Sequence, residues 1–133
     1  MRKIALLAVA TAVLLTGPAL QARERLTGEQ QLAKLLEGRV AEKPVSCIPL
    51  YRTSDSRIID KTAIVYDQGN VIYVNRPRYP ESLDSDDIMV TVLHTSQLCR
   101  LDTVRMHDRS QFFFSGFVGL EDFVPYRRVP RAN

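Results

Sequence analysis

Residues 62–75 read TAIVYDQGNVIYVN, two runs of β-branched and aromatic residues separated by a break that contains Gly69. Such runs favour strands and glycine favours tight turns, so the pattern predicts a β-hairpin. Because alternate side chains of a strand point to opposite faces, one face of this hairpin is aliphatic, and we assign it to the core. The other face carries Tyr66 and Tyr73 and belongs either to a second packing layer or to a shallow binding surface.

The register of this hairpin depends on the length of its loop. A two-residue loop, Gln68-Gly69, would place Tyr66 opposite Val71. Glutamine is unusual at the first position of such a turn. A slightly longer loop, with Gly69 in a left-handed conformation, is therefore the alternative.

Shorter runs on either side of the hairpin predict further strands, at residues 57–60, 88–93 and 103–106. The last of these alternates like an edge strand, with Arg105 facing outward. Upstream, residues 27–30 have the form of a capping box and predict a helix from Gly28 to Glu37. The sequence therefore predicts a mainly β fold, a small antiparallel sandwich or partly closed barrel with an N-terminal helix.

All five phenylalanines fall between positions 112 and 123. In a strand, Phe112 and Phe114 point to one face and Phe113 to the other, so we expect both sides to be covered. Gly116, just downstream, predicts a bulge or close packing of the chain.

Cys47 and Cys99 are the only cysteines of the chain. In an oxidising compartment such a pair closes into a disulfide, and the lack of a Cys-x-x-Cys motif argues against a redox-active pair. The bond would close a loop of about 53 residues, which the chain-entropy model converts into a stabilisation on the order of 4 kcal/mol.

The N-terminal segment predicts export. Arg2 and Lys3 precede an apolar run from Ile4 to Leu15, followed by small residues, and this is the pattern of a secretory signal peptide over residues 1–22. The run is shorter than the roughly 20 residues that a bilayer span needs, so we do not expect an integral membrane protein. Residues 23–133 would form a single β-rich domain with a short basic C-terminal tail.

Charge argues against nucleic acid as a partner. The chain has 18 basic and 15 acidic side chains, a net charge of +3, but Arg2 and Lys3 leave with the predicted signal peptide. A net charge of +1 is left, whereas a nucleic-acid partner requires a clustered basic face.

We predict no catalytic residue, metal or cofactor. His94, Cys99, Asp102 and His107 are all metal-ligand types, but their spacing matches no zinc pattern. The chain has neither the Gly-x-Ser-x-Gly elbow of a serine hydrolase nor a glycine-rich phosphate loop. The alternative is a small envelope hydrolase in which His94 or His107 acts with a carboxylate such as Asp102.

A candidate binding surface combines aromatic and cationic side chains. The tyrosine face of the hairpin together with nearby arginines would make a mixed surface of the kind that binding modules use. Arginines of the C-terminal tail could contact an anionic component of the cell envelope or an acidic patch on a protein. The candidate residues are Tyr66, Tyr73, Arg76, Arg78, Arg127 and Arg128.

Four short motifs resemble a group of small exported proteobacterial proteins of unknown function. They are Cys47-Ile48-Pro49-Leu50, Ile59-Asp60-Lys61-Thr62, Leu98-Cys99-Arg100-Leu101-Asp102 and Phe123-Val124-Pro125-Tyr126-Arg127-Arg128. The resemblance implies a disulfide and a Gram-negative envelope location, which for an exported chain without a membrane anchor is the periplasm. It carries over no active site. We therefore expect a non-enzymatic binding or accessory module with an envelope protein or another envelope component as its partner.

Overall fold

The computed structural model describes residues 25–130, so the predicted signal peptide lies outside the described residues. Short strands are the main regular structure of the described chain. The elements are α1 (Gly28–Leu35), β1 (Arg39–Ala41), β2 (Cys47–Pro49), β3 (Asp55–Ile59), β4 (Ala63–Asp67), β5 (Val71–Asn75), β6 (Asp87–Thr91), β7 (Gln97–Cys99), β8 (Thr103–Asp108), β9 (Phe114–Gly119) and β10 (Phe123–Arg128), with single 3-10 turns at Leu50–Arg52 and Pro80–Ser82.

These strands form three antiparallel sheets. The largest has the order β1-β10-β5-β4-β3, the second pairs β2 with β7, and the third has the order β6-β8-β9. None of the sheets described here closes on itself. The predicted mainly β fold with an N-terminal helix is confirmed, in the form of a sandwich rather than a barrel.

Helix α1 covers one face of the five-stranded sheet. Its capping box is present, because Thr27 Oγ1 accepts a hydrogen bond from Gln30 N–H while Gln30 Oε1 accepts one of 2.8 Å from Thr27 N–H. Leu32 is buried and packs in a cluster with Val65 and Val74 of the central hairpin. The aliphatic face of the hairpin is therefore a core face, as predicted.

The central hairpin adopts the longer of the two predicted loops. Tyr66 lies opposite Tyr73, two residues away from the pairing that a two-residue loop would give. Gly69 has a φ of 80°, and its N–H donates to Asp67 Oδ1 at 2.7 Å. A shift of two residues keeps every side chain on its predicted face.

The opposite face of the five-stranded sheet packs against the other two sheets. This second cluster contains Ile64, Tyr66 and Phe123 of the large sheet, Ile48 and Leu98 of the two-stranded sheet, Val104, Met106, Val118 and Leu120 from the three-stranded sheet and its exit, and Leu83. The fold therefore has three layers: a helix, a sheet, and a layer made of the two smaller sheets. The outer face of the three-stranded sheet has no further layer over it among residues 25–130.

The Cys47–Cys99 disulfide is confirmed. The two cysteines lie directly opposite each other in the β2–β7 pair. Their neighbours Ile48 and Leu98 are fully buried in the second cluster. The bond therefore links the two strands to each other, and the buried Ile48 and Leu98 hold the pair against the core.

Two predictions about strand position are wrong. Strand β8 is not an edge strand, because it lies between β6 and β9, although Arg105 does face outward. Arg127 and Arg128 do not belong to a tail, because they end β10, the strand between β1 and β5. Pro125 is tolerated inside β10 because it lies where β1 ends, at Ala41 opposite Tyr126. Its carbonyl still accepts a 2.8 Å hydrogen bond from Glu42 N–H, so only the bond that the proline nitrogen would donate is missing.

Candidate binding surface on the three-stranded sheet

Four of the five phenylalanines are exposed. Phe112, Phe113, Phe114 and Phe117 are 70%, 54%, 48% and 61% exposed, whereas Phe123 is fully buried. The prediction that both sides of this segment would be covered is therefore wrong. It assumed that the run is a regular strand, but β9 begins only at Phe114, and Phe112 has a left-handed φ of 56° in the preceding turn.

The outer face of the three-stranded sheet presents a row of side chains across all three strands. Val104 and Met106 of β8 point into the core, so Arg105 and His107 point outward. Arg105 lies opposite Val90 of β6 on one side and Phe117 of β9 on the other. We call the outward side chains of this sheet the aromatic face: Ile88, Val90, Arg105, His107, Phe114 and Phe117.

A β-bulge places two of the phenylalanines together. Met106 pairs with Gly116 but the next residue, His107, pairs with Phe114, so Ser115 is the extra residue. Without this insertion, Phe114 and Phe117 would point to opposite faces, because they are three residues apart. With it, their ring centroids lie 4.6 Å apart, and the His107 ring packs edge-on to Phe114 at 5.9 Å.

Two groups hold the bulge in shape. Gly116 has a φ of 156°, a conformation that residues with a Cβ rarely adopt. On the inner side, the Ser115 hydroxyl donates a hydrogen bond of 2.8 Å to Asp87 Oδ2 on β6, across the central strand. The position of the two rings is therefore fixed by the backbone and by a cross-sheet hydrogen bond.

The turn that presents Phe112 and Phe113 is held by Asp108. Its Oδ1 accepts hydrogen bonds from the Ser110 hydroxyl and from the N–H groups of Ser110 and Gln111. The bond from the Ser110 hydroxyl, followed by that from the Gln111 N–H, lowers the pKa of the Asp108 carboxyl. These bonds keep the turn, and with it the two aromatic side chains, in one exposed arrangement.

Arg105 is the cation at the middle of the aromatic face. Within residues 25–130 it forms no ion pair, whereas Arg57, Arg76, Arg78, Arg100 and Arg127 each have a carboxylate partner. A guanidinium flanked by apolar side chains is a suitable donor for a carboxylate of a partner. The surface therefore combines an apolar platform with one cation that has no carboxylate partner among the described residues.

The structure separates the residues of the sequence-predicted surface. Tyr66 is only 3% exposed and packs edge-on to Phe123 at 5.9 Å, so it belongs to the second layer, and a surface role for it is wrong. Tyr73 is half-buried beside the same core cluster. Their common face is the one that the smaller sheets cover.

The predicted arginines lie apart and most are already paired. Arg76 forms a bidentate ion pair with Glu29 of α1, with contacts of 2.6 and 2.9 Å, on the helix side of the sheet. The hydrogen bond from Arg76 is the main cause of the lowered pKa of the Glu29 carboxyl. The remaining pairs are Arg78 with Glu121 at 3.1 Å and Arg127 with Glu42 at 2.6 Å.

Arg128 differs from the other three predicted arginines. It has no ion pair with a described residue, and it lines a surface depression at the end of β10. Binding of an anionic component by these arginines stays a prediction.

The candidate catalytic pair is only partly assembled. His94 and Asp102 both line a shallow depression beside Phe117, but no hydrogen bond joins them. Asp102 Oδ2 instead accepts a 2.7 Å hydrogen bond from the N–H of Cys99. His107 Nδ1 lies 3.4 Å from the carbonyl oxygen of Phe112. In the described part of the chain, neither histidine is therefore oriented by a carboxylate.

The sequence contains a signal for the aromatic face that an interpretation by strand periodicity alone overlooks. Three consecutive phenylalanines followed by Ser115-Gly116 cannot all be buried by a strand with one covered face. Reading this run as a turn followed by a bulge would have predicted exposed rings.

No helix among residues 25–130 has the length and apolar character needed to cross a bilayer. The same range holds no group of three or more His, Cys, Asp or Glu side chains that could bind a metal ion. No family model, curated protein or solved structure matches the chain.

Proposed function

We propose that this protein is an exported, non-enzymatic binding module of the periplasm and that its aromatic face binds a partner protein of the cell envelope. The predicted signal peptide and the resemblance to small exported proteobacterial proteins support the location. The disulfide fits an oxidising compartment. The observation that carries the function is the exposure of Phe114 and Phe117 on one fixed sheet face.

The size of the exposed surface supports this proposal. At about 200 Å² for each phenylalanine, the contacting rings of Phe114 and Phe117 alone expose roughly 220 Å² of apolar area, a large part of the roughly 300 Å² at which the largest patches on monomeric proteins begin. Such patches are often functional, and phenylalanine and arginine are enriched in protein interfaces. The expected partner surface is apolar and carries a carboxylate that can reach Arg105.

The rigidity of this surface also favours binding. The bulge at Ser115 and the turn at Asp108 fix the rings before any partner arrives. Binding then costs little additional conformational entropy, and more of the contact energy appears as affinity.

The other two functions have weaker support. A hydrolase needs a histidine oriented by a carboxylate, and His94 and Asp102 lack that hydrogen bond. An anionic envelope ligand at Arg127 would have to displace Glu42, whose carboxylate already pairs with the guanidinium at 2.6 Å.

Photocrosslinking in the intact envelope tests the proposal. The photoreactive residue p-benzoylphenylalanine is placed at Val90, which is on the aromatic face, or at Tyr51, which is 73% exposed on a different element. We expect a discrete protein adduct at Val90, lost when Phe114→Ser is added, and no such adduct at Tyr51. Equal adducts at both positions, or an adduct that survives Phe114→Ser, would contradict the proposal.

A further inference from the structure

The open strand edges of this protein are not equally protected. Natural proteins avoid unwanted strand pairing by making edge strands short or by placing charges or proline in them. The edge strands β1, β2 and β7 have three residues each, β3 carries Asp55 and Arg57, and β6 carries Asp87. Strand β9 has six residues, FSGFVG, with neither a charge nor a proline. Among the described strands it is the longest open edge. The bulge at Ser115 is its one protective device, and residues 117–119 beyond the bulge have none.

The two ends of β9 have complementary shapes. At its start, Phe114 projects from the strand and is 48% exposed. At its end, a depression of about 250 Å³ is lined by residues 77–79, Leu101 and residues 117–121. An engineered cavity of about 150 Å³ holds a benzene molecule, so this depression has room for a phenyl ring.

The depression surrounds the last residues of β9 and the two residues that follow them. Neighbouring residues of a strand point to opposite faces, yet five consecutive residues, 117–121, line it. Gly119 lies within this stretch, and a Cβ placed on it would have no neighbour within 4 Å. The space over this edge glycine is therefore empty.

We infer that β9 pairs in antiparallel fashion with β9 of a second copy of this chain, about a two-fold axis at Phe117. In this register Phe117 lies opposite Phe117 of the second copy, an aromatic cross-strand pair. Because Ser115 and Gly116 together occupy one position of the partner strand, Phe114 comes to lie opposite Gly119 of the second copy. Each Phe114 ring then covers an edge glycine and fills the depression beside it.

Charge permits this arrangement. A two-fold axis places like residues near each other, so charged edge strands repel their own copies. Strand β9 contains no ionisable side chain, and no repulsion opposes its self-pairing. The pairing would join two three-stranded sheets into one of six strands and make the two aromatic faces continuous.

This inference goes beyond the proposed function and does not rest on it. The pairing uses the backbone edge of β9 together with the Phe114 and Phe117 rings, and it leaves Ile88, Val90 and Arg105 of the aromatic face open to an envelope partner. A protein that is monomeric could still bind an envelope partner through Val90 and Arg105, and a dimer could lack such a partner.

Light scattering during size-exclusion chromatography of the mature, disulfide-bonded protein tests the inference. We expect the mass of two chains for the native protein and of one chain for Phe117→Lys, because two ammonium groups would meet at the axis. Val90→Lys is the matched control, since it adds the same charge on the same face but on β6, and it should remain dimeric.

A mixture of two variants tests the register. Phe117→Lys and Phe117→Glu should each be monomeric, and mixing them should restore a dimer that contains one chain of each. This result requires both variants to be folded, so it also excludes misfolding as the cause of dissociation. A native protein that is monomeric at every concentration would overturn the inference, as would a dimeric Phe117→Lys variant or a mixture that stays monomeric.

Discussion

Phe114 and Phe117 are three residues apart in one strand, yet their rings lie on the same face of the sheet with centroids 4.6 Å apart. The extra residue Ser115 makes this contact possible, because it shifts the alternation of side chains by one position. The exposed aromatic face thus depends on a backbone irregularity as much as on residue type.

The first prediction concerns the glycine of the bulge. Gly116→Ala should lower the free energy of unfolding by about 1–2 kcal/mol, because a Cβ is strained at a φ of 156°. Ser56→Ala is the control, because Ser56 is exposed on β3, away from the bulge, and its side chain makes no hydrogen bond to a described residue. Urea titration of both variants measures the difference. Equal losses would show that the conformation of Gly116 is not what stabilises the bulge.

The second prediction concerns the contact between α1 and the turn after β3. A Cβ on Gly28 would overlap Thr62 Oγ1 and lie 2.6 Å from the carbonyl oxygen of Asp60. Gly28→Ala should therefore cost about 2 kcal/mol of stability, despite the higher helix propensity of alanine. Lys34→Ala, at an exposed position of the same helix, should change stability by less than about 0.5 kcal/mol. A stabilised Gly28→Ala variant would disprove the close packing of α1 on this turn.

The third prediction concerns the hydroxyl group of Tyr66. This group is buried and makes no hydrogen bond to a described residue. Tyr66→Phe should leave stability at pH 7 unchanged or raise it by up to about 1 kcal/mol, because an unpaired buried hydroxyl is costly. A clear loss of stability would show that the hydroxyl has a partner.

Tyr66 also gives a prediction for alkaline pH. Burial raises the pKa of its phenol above the usual value. The unfolded chain therefore loses this proton at a lower pH than the folded protein does, so stability falls as the pH rises above about 10. In Tyr66→Phe the fall in the free energy of unfolding that comes from this phenol should be absent. Urea titrations of both proteins at pH 7 and above pH 10 will measure the difference. If the free energy of unfolding fell equally with pH in the two proteins, this result would contradict the burial of the phenol.

The fourth prediction concerns the ion pair of Glu29 and Arg76. The Arg76 hydrogen bond lowers the pKa of Glu29 in the folded protein, so the pair stabilises above the unfolded carboxyl pKa of about 4.3 and is lost as the pH falls. Both side chains are more than half exposed, and solvent screening limits the effect to below about 1 kcal/mol. Glu29→Gln should therefore be slightly less stable than the native protein at pH 7 and equal to it near pH 3. If Glu29→Gln were still less stable than the native protein at pH 3, its loss of stability would come from packing and not from the ion pair.

The fifth prediction concerns the disulfide. The double variant Cys47→Ala, Cys99→Ala should lose about 4 kcal/mol, as the chain-entropy model gives for a separation of 52 residues. The bond also fixes the strand pair that carries buried Ile48 and Leu98. Thermal unfolding of the oxidised protein and the double variant measures the loss. A loss below about 1 kcal/mol would mean that this strand pair is stable without the bond.

Local features of this fold were predictable from the sequence. The capping box of α1 and the faces of the central hairpin depend on residues close together in the chain, and both were predicted. The loop of the hairpin was harder to predict, because Asp67 binds the N–H of Gly69 and extends the turn. Both loop lengths were compatible with the residue types, and only this hydrogen bond distinguishes them.

Features that depend on distant residues could not be derived in the same way. Strand β10 lies between β1 and β5 because Arg39 pairs with Arg128 and Val74 with Val124, and no local pattern specifies such pairings. Arg127 and Arg128 were predicted to lie in a tail for this reason, since their pairing partners on β1 and β5 are distant in the chain. The aromatic face was missed for a similar reason: the bulge is defined by the pairing of β9 with β8.

The central position of β10 constrains the order in which the parts of the protein fold. Residues 123–128 are the last strand of the described chain, yet they join β1 to the rest of the large sheet. The five-stranded sheet therefore cannot be completed until residues 123–128 are in place, and β5 exposes an unpaired edge until then. Cys47 and Cys99 both precede β10, so their bond can form before this last strand is inserted. The disulfide would then hold the incomplete sandwich together during the interval in which it is most prone to aggregate.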